Sequence, residues 1–143
     1  MPLGRNGSKM SQIEKVEIIH RRLLKDSRGW FLKAITGTEK NISDHIGEVY
    51  VTMGKPGQTK GGHYHPKAVE WFTVIQGEAI LKLEDVHTHE QMEIEMSLDK
   101  AITVFIPNNV AHAVVNNCHE DFVLLAYTDL QYDPADTISY NIK

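Results

Sequence analysis

One cysteine, Cys118, occurs in 143 residues, so no internal disulfide can form and a disulfide-stapled scaffold is excluded, in keeping with a reducing compartment. Long apolar runs are absent as well. None approaches the roughly 20 residues of a membrane span, and no apolar signal core follows the N-terminus, which reads as a cytoplasmic protein without a membrane partner. Positive charge is scarce: 15 Lys and Arg stand against 19 Asp and Glu, for a formal net charge of −4. These cations are scattered rather than gathered into the stripe that nucleic acid requires. Also missing are a Gly-x-Ser-x-Gly elbow, a Gly-x4-Gly-Lys-Ser/Thr phosphate loop and a Gly-x-Gly-x2-Gly fingerprint, so hydride transfer and phosphoryl transfer have no support.

What is present is a series of short apolar runs cut by turn residues. Residues 1–10 are Gly, Lys, Arg and Ser with little apolar content and read as a disordered head, leaving 11–143 as one domain. Glu17-Ile18-Ile19, Trp30-Phe31-Leu32, Val49 to Thr52, Trp71 to Ile75, Ala79 to Leu83, Met92 to Met96, Ile102 to Ile106, Ala113 to Val115 and Phe122 to Tyr127 follow one another. Such runs, rich in β-branched and aromatic residues and spaced about 8 to 12 residues apart, predict an all-β sandwich or barrel with little helix. Gly77 predicts a hairpin turn over Ile75-Gln76-Gly77-Glu78, and Pro107-Asn108-Asn109 a second sharp turn. Ile13 to Leu24 has near-helical apolar spacing, but Val16, Ile18 and Ile19 are β-branched, so it is read as strand.

The chemistry-bearing residues fall into two stretches, Gly57-x5-His63-x-His65-x4-Glu70-x6-Gly77 and Pro107-x-Asn109-x2-His112-x3-Asn116. His63 and His65, two apart, project to one side of an extended strand. After Pro66-Lys67-Ala68-Val69, Glu70 can return a carboxylate beside them, with His112 arriving from a distant strand. Three imidazoles and a carboxylate suit one divalent Zn, Fe, Mn, Ni or Co ion with a position open for water or substrate. The bland alternative is a set of ordinary polar residues. Order and spacing, with Gly57, Gly77 and Pro107 at the turns between, favour the metal.

Both stretches resemble the two cupin motifs, which implies a double-stranded β-helix, or jelly roll, with the ion near the barrel mouth. The second motif departs at Ala101 and Asn109, where the family has Gly; Asn tolerates a left-handed backbone. A narrower resemblance rests on Asp26-Ser27-Arg28-Gly29-Trp30-Phe31, Lys60-Gly61-Gly62-His63-Tyr64-His65 and Tyr132-Asp133-Pro134-Ala135-Asp136-Thr137. It is to dTDP-4-dehydrorhamnose 3,5-epimerases and, more closely, to the C-terminal cupin domain of bifunctional capsular-polysaccharide enzymes. That resemblance implies a metal-dependent epimerase or isomerase of nucleotide-linked 4-keto sugars in surface-polysaccharide synthesis. It further implies zinc on His63, His65, Glu70 and His112, and a homodimer.

In the rhamnose epimerases the base falls on His63, which conflicts with metal ligation, because a nitrogen donating to an ion is a poor free base. Tyr64 and Lys67 are the next catalytic candidates, with Tyr50, His87 and His89 behind them. Arg28 and Lys60 are candidate diphosphate binders. His87-Thr88-His89 reads as a solvated loop before a second metal site, and Trp30 and Trp71 as core before stacking platforms. Cupin barrels also host Fe-dependent dioxygenases and non-catalytic metabolite-binding modules, and both remain alternatives.

Overall fold

Each apolar run lies in or overlaps a strand of the computed structural model, which describes residues 11–143. The expected head, 1–10, lies outside the described residues. The strands are β1 (Glu17–His20), β2 (Leu24–Asp26), β3 (Gly29–Phe31), β4 (Glu48–Gly54), β5 (Thr59–Tyr64), β6 (Glu70–Gln76), β7 (Glu78–Asp85), β8 (Gln91–Ser97), β9 (Ile102–Ile106), β10 (Val110–Val115), β11 (Phe122–Thr128) and β12 (Ile138–Ser139). β5 is the extended strand expected at His63, although no apolar run marks it and His65 lies just past its end. Its Thr, Lys and paired Gly residues carry no strand signal, and it forms because β10 and β12 pair with it. Two short 3-10 turns, Gln12–Lys15 and Pro134–Asp136, are the helical elements among the described residues.

Two five-stranded antiparallel sheets face each other, in the orders β1-β9-β6-β11-β4 and β12-β5-β10-β7-β8, with β2-β3 as a separate hairpin. From β4 to β7, and again from β8 to β12, the chain changes sheet at each step, the winding of the expected jelly roll. Alternate residues of each strand point between the sheets, as the two-residue strand period requires. Phe72, Val74, Leu81, Leu83, Val104 and Leu124 are among those packed there at 2% exposure or less. A second cluster of Trp71, Phe105 and Tyr127 lies on the opposite face of the first sheet and is joined by Ile19, Ile35, Ile42 and Val69.

Two sequence expectations change. Gly77 is not a hairpin turn, because β6 and β7 belong to different sheets and do not pair. It is the corner where the chain crosses between them. Its φ is +75°, and a Cβ there would lie 2.3 Å from the Asp121 carbonyl oxygen. A glycine between two strand-like runs reports a sharp bend, not which sheet the next strand joins. The Ile13 to Leu24 segment is strand only at Glu17–His20 and again at Leu24, where β2 begins; Ser11 caps a 3-10 turn ahead of it by accepting from the Ile13 N–H. The Pro107-Asn108-Asn109 turn forms as expected, with Asn109 at φ 62°.

Residues after β3 are pinned to the outer face by a buried ion pair, Arg21 with Glu39. The guanidinium also donates to the Ala34 carbonyl at 2.9 Å, and the Glu39 carboxylate accepts from the backbone N–H groups of Thr36 and Gly37, each at 2.9 Å. Burial raises the Glu39 carboxyl's proton affinity, but the Thr36 amide and Arg21 outweigh it and bring the pKa down to about 2. A carboxyl depressed in this way contributes stability above its ordinary value of 4.5, and that contribution is lost as pH falls toward 2. Glu39→Ala is expected to lower unfolding free energy at pH 7 by about 3 kcal/mol, the lower end for breaking a buried pair. Its urea midpoint should also fall less than wild type between pH 5 and pH 2; equal acid sensitivity in both proteins contradicts this assignment.

Candidate metal centre and pocket

The four residues singled out by spacing converge between the two sheets. His63 is on β5 and His112 directly opposite on β10, in one sheet, while Glu70 opens β6 in the other. A bulge makes this possible. Across β5 and β10 the register slips between His112 and Ala113, which leaves Gly62 as the extra residue. Gly61 and Gly62 have φ of +87° and +86°, and a Cβ on Gly61 would lie 2.9 Å from the His112 carbonyl oxygen. Glycine is therefore required beside the histidines for conformation and for space. His65, beyond the end of β5, is held by its carbonyl, which accepts from the Asn109 N–H at 2.9 Å, while Asn108 Nδ2 donates to the Pro66 carbonyl at 2.9 Å.

Ring centroids of the three histidines are 4.8 to 5.3 Å apart, and one nitrogen of each lies within 4.8 Å of the others. Glu70 Oε1 is 3.2 Å from both His65 Nε2 and His112 Nε2. Neither Glu70 Oε1 nor His112 Nε2 has an aligned hydrogen bond among the described residues, although both are buried. Buried polar atoms are rarely left unpartnered. Two ligand atoms about 2.1 Å from a shared tetrahedral ion lie about 3.4 Å apart, so spacing and unused lone pairs both fit a divalent cation. Glu70 Oε2 accepts from the Tyr50 hydroxyl at 2.9 Å.

Local fields keep the donors ready. Burial works against ionisation of Glu70, but His112 and His65 hold its carboxyl well below the usual carboxylate range. Burial, then the neighbouring His112 and His65, push His63 down to about 4 and leave its imidazole neutral at pH 7. His65 is also disfavoured as a cation by burial, yet its contact with Glu70 raises it overall. Burial and Glu70 together raise the Tyr50 phenol, which keeps its proton.

Above these groups opens a cavity of about 500 Å³ walled by Tyr50, Glu48, Leu130, Tyr132, Asp133 and Thr137 among others. Of the other sequence candidates, only Tyr50 lines it. Tyr64 points to the opposite side of β5, edge-on to Tyr140 at 5.8 Å, and neither Lys67 nor Lys60 reaches the cavity wall. Arg28 is exposed on the β2-β3 turn, paired with Asp26 at 2.6 Å. His87 and His89 lie in a loop elsewhere, with His89 Nδ1 3.1 Å from Glu84. Trp71 is core, and Trp30 is half exposed outside the cavity. Sequence reasoning did not assign the walls from Leu130 to Thr137 or the bracing acid Asp136. The block Tyr132 to Thr137 carried the family resemblance but no assigned role, because the contacts of Asp136 lie about 70 residues away in sequence.

The family model for polysaccharide biosynthesis C-terminal domains matches residues 24–140. A UDP-2-acetamido-2,6-beta-L-arabino-hexul-4-ose reductase of Pseudomonas aeruginosa is 28% identical over 115 residues, 80% of this chain but 29% of that protein. The chain thus spans under a third of that relative. The spore coat polysaccharide biosynthesis protein SpsL of Bacillus subtilis is 26% identical over 121 residues, with 80% of each chain covered. Among solved structures, a dTDP sugar isomerase from Desulfovibrio desulfuricans superposes with a TM-score of 0.84 at 15% identity, covering 95% of this chain and 90% of that one. At that identity the likeness establishes the jelly-roll fold.

Gly61→Ala tests the local design. Left-handed strain alone costs about 1–2 kcal/mol, and the clash with the His112 carbonyl must also part β5 from β10. The variant is expected to melt lower and to lose the close approach of His63 and His112 in its crystal structure or NMR contacts; unchanged stability and contacts contradict the assignment.

Proposed function

The chain belongs to the polysaccharide biosynthesis C-terminal domain family, and we propose that it is a metal-dependent epimerase or isomerase of a nucleotide-linked 4-keto sugar. The observation that carries this reading is the buried pair Glu70 Oε1 and His112 Nε2, 3.2 Å apart without an aligned hydrogen bond, beneath an open cavity that Glu70 lines. His63, His65, Glu70 and His112 would hold the ion, with zinc the first choice for a donor set of three nitrogens and one oxygen. When bound, the ion supplies Lewis acidity to a carbonyl oxygen beside the carbon that loses its proton. The Pseudomonas relative, named for a UDP-linked hexul-4-ose, supports a keto sugar as the substrate class. A cavity of about 500 Å³ is in the range of small-molecule sites.

The chain's own groups divide the remaining work. Phe72 stands edge-on to His112 at 5.5 Å and closes the floor against water. Tyr50 Oη keeps its proton at neutral pH and donates a hydrogen bond to Glu70 Oε2 at 2.9 Å, so its proposed part is to hold that carboxylate in place at the cavity. His63 is the least engaged with Glu70. Its proposed place is as the remaining ligand, which frees it from the role of base that its sequence position also suggested.

No Lys or Arg lines the cavity among the described residues, while Glu48 and Asp133 stand at its wall. A diphosphate needs cations, and a homodimer would bring them. Val49, Val51 and Met53 leave the outer face of β4 bare, at 59%, 59% and 42% exposure, and Val49 also lines the cavity. In the proposed dimer that face is covered and Arg28 of a second copy serves the diphosphate.

Incubation of zinc-loaded protein with UDP- and dTDP-4-keto sugars in deuterated water is expected to add ring deuterium, read by mass spectrometry, and removal of the metal should abolish it. Absence of exchange with every such sugar removes the epimerase reading. Sedimentation should find a dimer that Val51→Glu converts to monomers still able to bind zinc; a monomeric wild type removes the shared site.

A further inference from the structure

Two of the imidazoles are oriented by a carbonyl behind the ring, but the two carbonyls differ in origin. His112 Nδ1 meets the carbonyl of Val110, two residues away on its own strand, at 3.1 Å. His65 Nδ1 meets the carbonyl of Asp136, 71 residues away, at 2.9 Å. A carbonyl only accepts, so His65 Nδ1 carries a proton and Nε2 is the nitrogen turned toward Glu70, 3.2 Å from its Oε1. The first support is built into the sheet. The second depends on the short turn after β11.

Asp136 also grips the other side of the same loop. Its carboxylate is buried and accepts from the Lys67 N–H at 2.9 Å through one oxygen and from the Ala68 N–H at 3.0 Å through the other. Those amides lie in the connection that leads from His65 to Glu70. One residue therefore fixes the ring of one proposed ligand and the approach to the next. Its turn is capped by Asp133, whose side chain accepts from the Ala135 N–H at 2.9 Å, and closed by the Asp136 N–H to the Asp133 carbonyl at 2.9 Å. Asp133 and Thr137, either side of Asp136, are cavity wall.

We propose that Asp136 is a positioning residue for the metal, and that through it the Asp133–Thr137 turn makes one mechanical unit of the substrate wall and the grip on the ion. Asp136 itself touches no ion. Its carboxylate holds the turn in place, and the turn's carbonyl holds the tautomer and aim of His65. This inference rests on the metal reading above.

The test uses the full chain, stripped of metal by chelation and then given Zn²⁺ against a chromophoric competitor and Co²⁺ with absorbance read in the visible. Loss of an outer partner of a ligating histidine costs about 10–100-fold in metal affinity, and Asp136→Asn is expected to fall in that range with an altered Co²⁺ band. Asp133→Ala, at an exposed position that does not threaten folding, should lose less in the same direction. Wild-type affinity and an unchanged Co²⁺ band in both variants overturn the proposal, and so does a lower melting temperature without any change in the band. Failure of the wild type to take up either ion overturns the metal reading and this inference together; uptake by wild type with insensitive variants overturns the inference alone.

Discussion

A carboxylate oxygen sealed between two sheets, with an imidazole nitrogen 3.2 Å away on each of two sides and no aligned hydrogen bond, is the contact around which the rest of this structure is arranged. Desolvating charge is costly unless it is paired. Here the pairing groups are themselves buried or nearly so, and they stand 3.2 Å from the carboxylate without an aligned hydrogen bond to it. The surrounding apolar residues could bury as much surface without that cluster, so we read it as a proposed site that the fold supports rather than a stabilising device.

Its support comes from both sheets and from segments distant in sequence. The glycine bulge ahead of His63 aligns two histidines across one sheet. The Pro107-Asn108-Asn109 turn braces the backbone at His65 and Pro66, and Asp129 accepts from the Val69 N–H at 2.9 Å just before Glu70. Tyr50 ties the second carboxylate oxygen to β4, which is also the strand with a bare outer face. Changes at the cavity wall, at the proposed dimer face and at the ligands therefore bear on one another through few bonds.

Much of this was legible in the sequence for a simple reason: a strand has a period of two, so His63 and His65 must share a side, and apolar runs at short regular intervals must form sheets. What stayed hidden required knowledge of partners. β5 is polar and glycine-rich, so only the spacing of its histidines hinted at a strand, and its length is set by the neighbours that pair with it; Gly77 marked a bend but not its destination. Asp136 has no local signature for contacts with residues 65, 67 and 68. Tyr64 alternates away from the histidines by the same rule that brings them together, which spacing already implied for any neighbour of His63. Arg28 and Lys60 were read from resemblance, and one copy of the chain places neither at the cavity.

Anomalous X-ray diffraction at the zinc edge, from crystals of protein loaded with one equivalent of Zn²⁺, tests the central claim most directly. The account predicts a single strong peak within about 2.3 Å of Glu70 Oε1 and of one nitrogen each of His63, His65 and His112. No peak at these residues, or zinc held elsewhere while the four side chains keep their present positions, contradicts it.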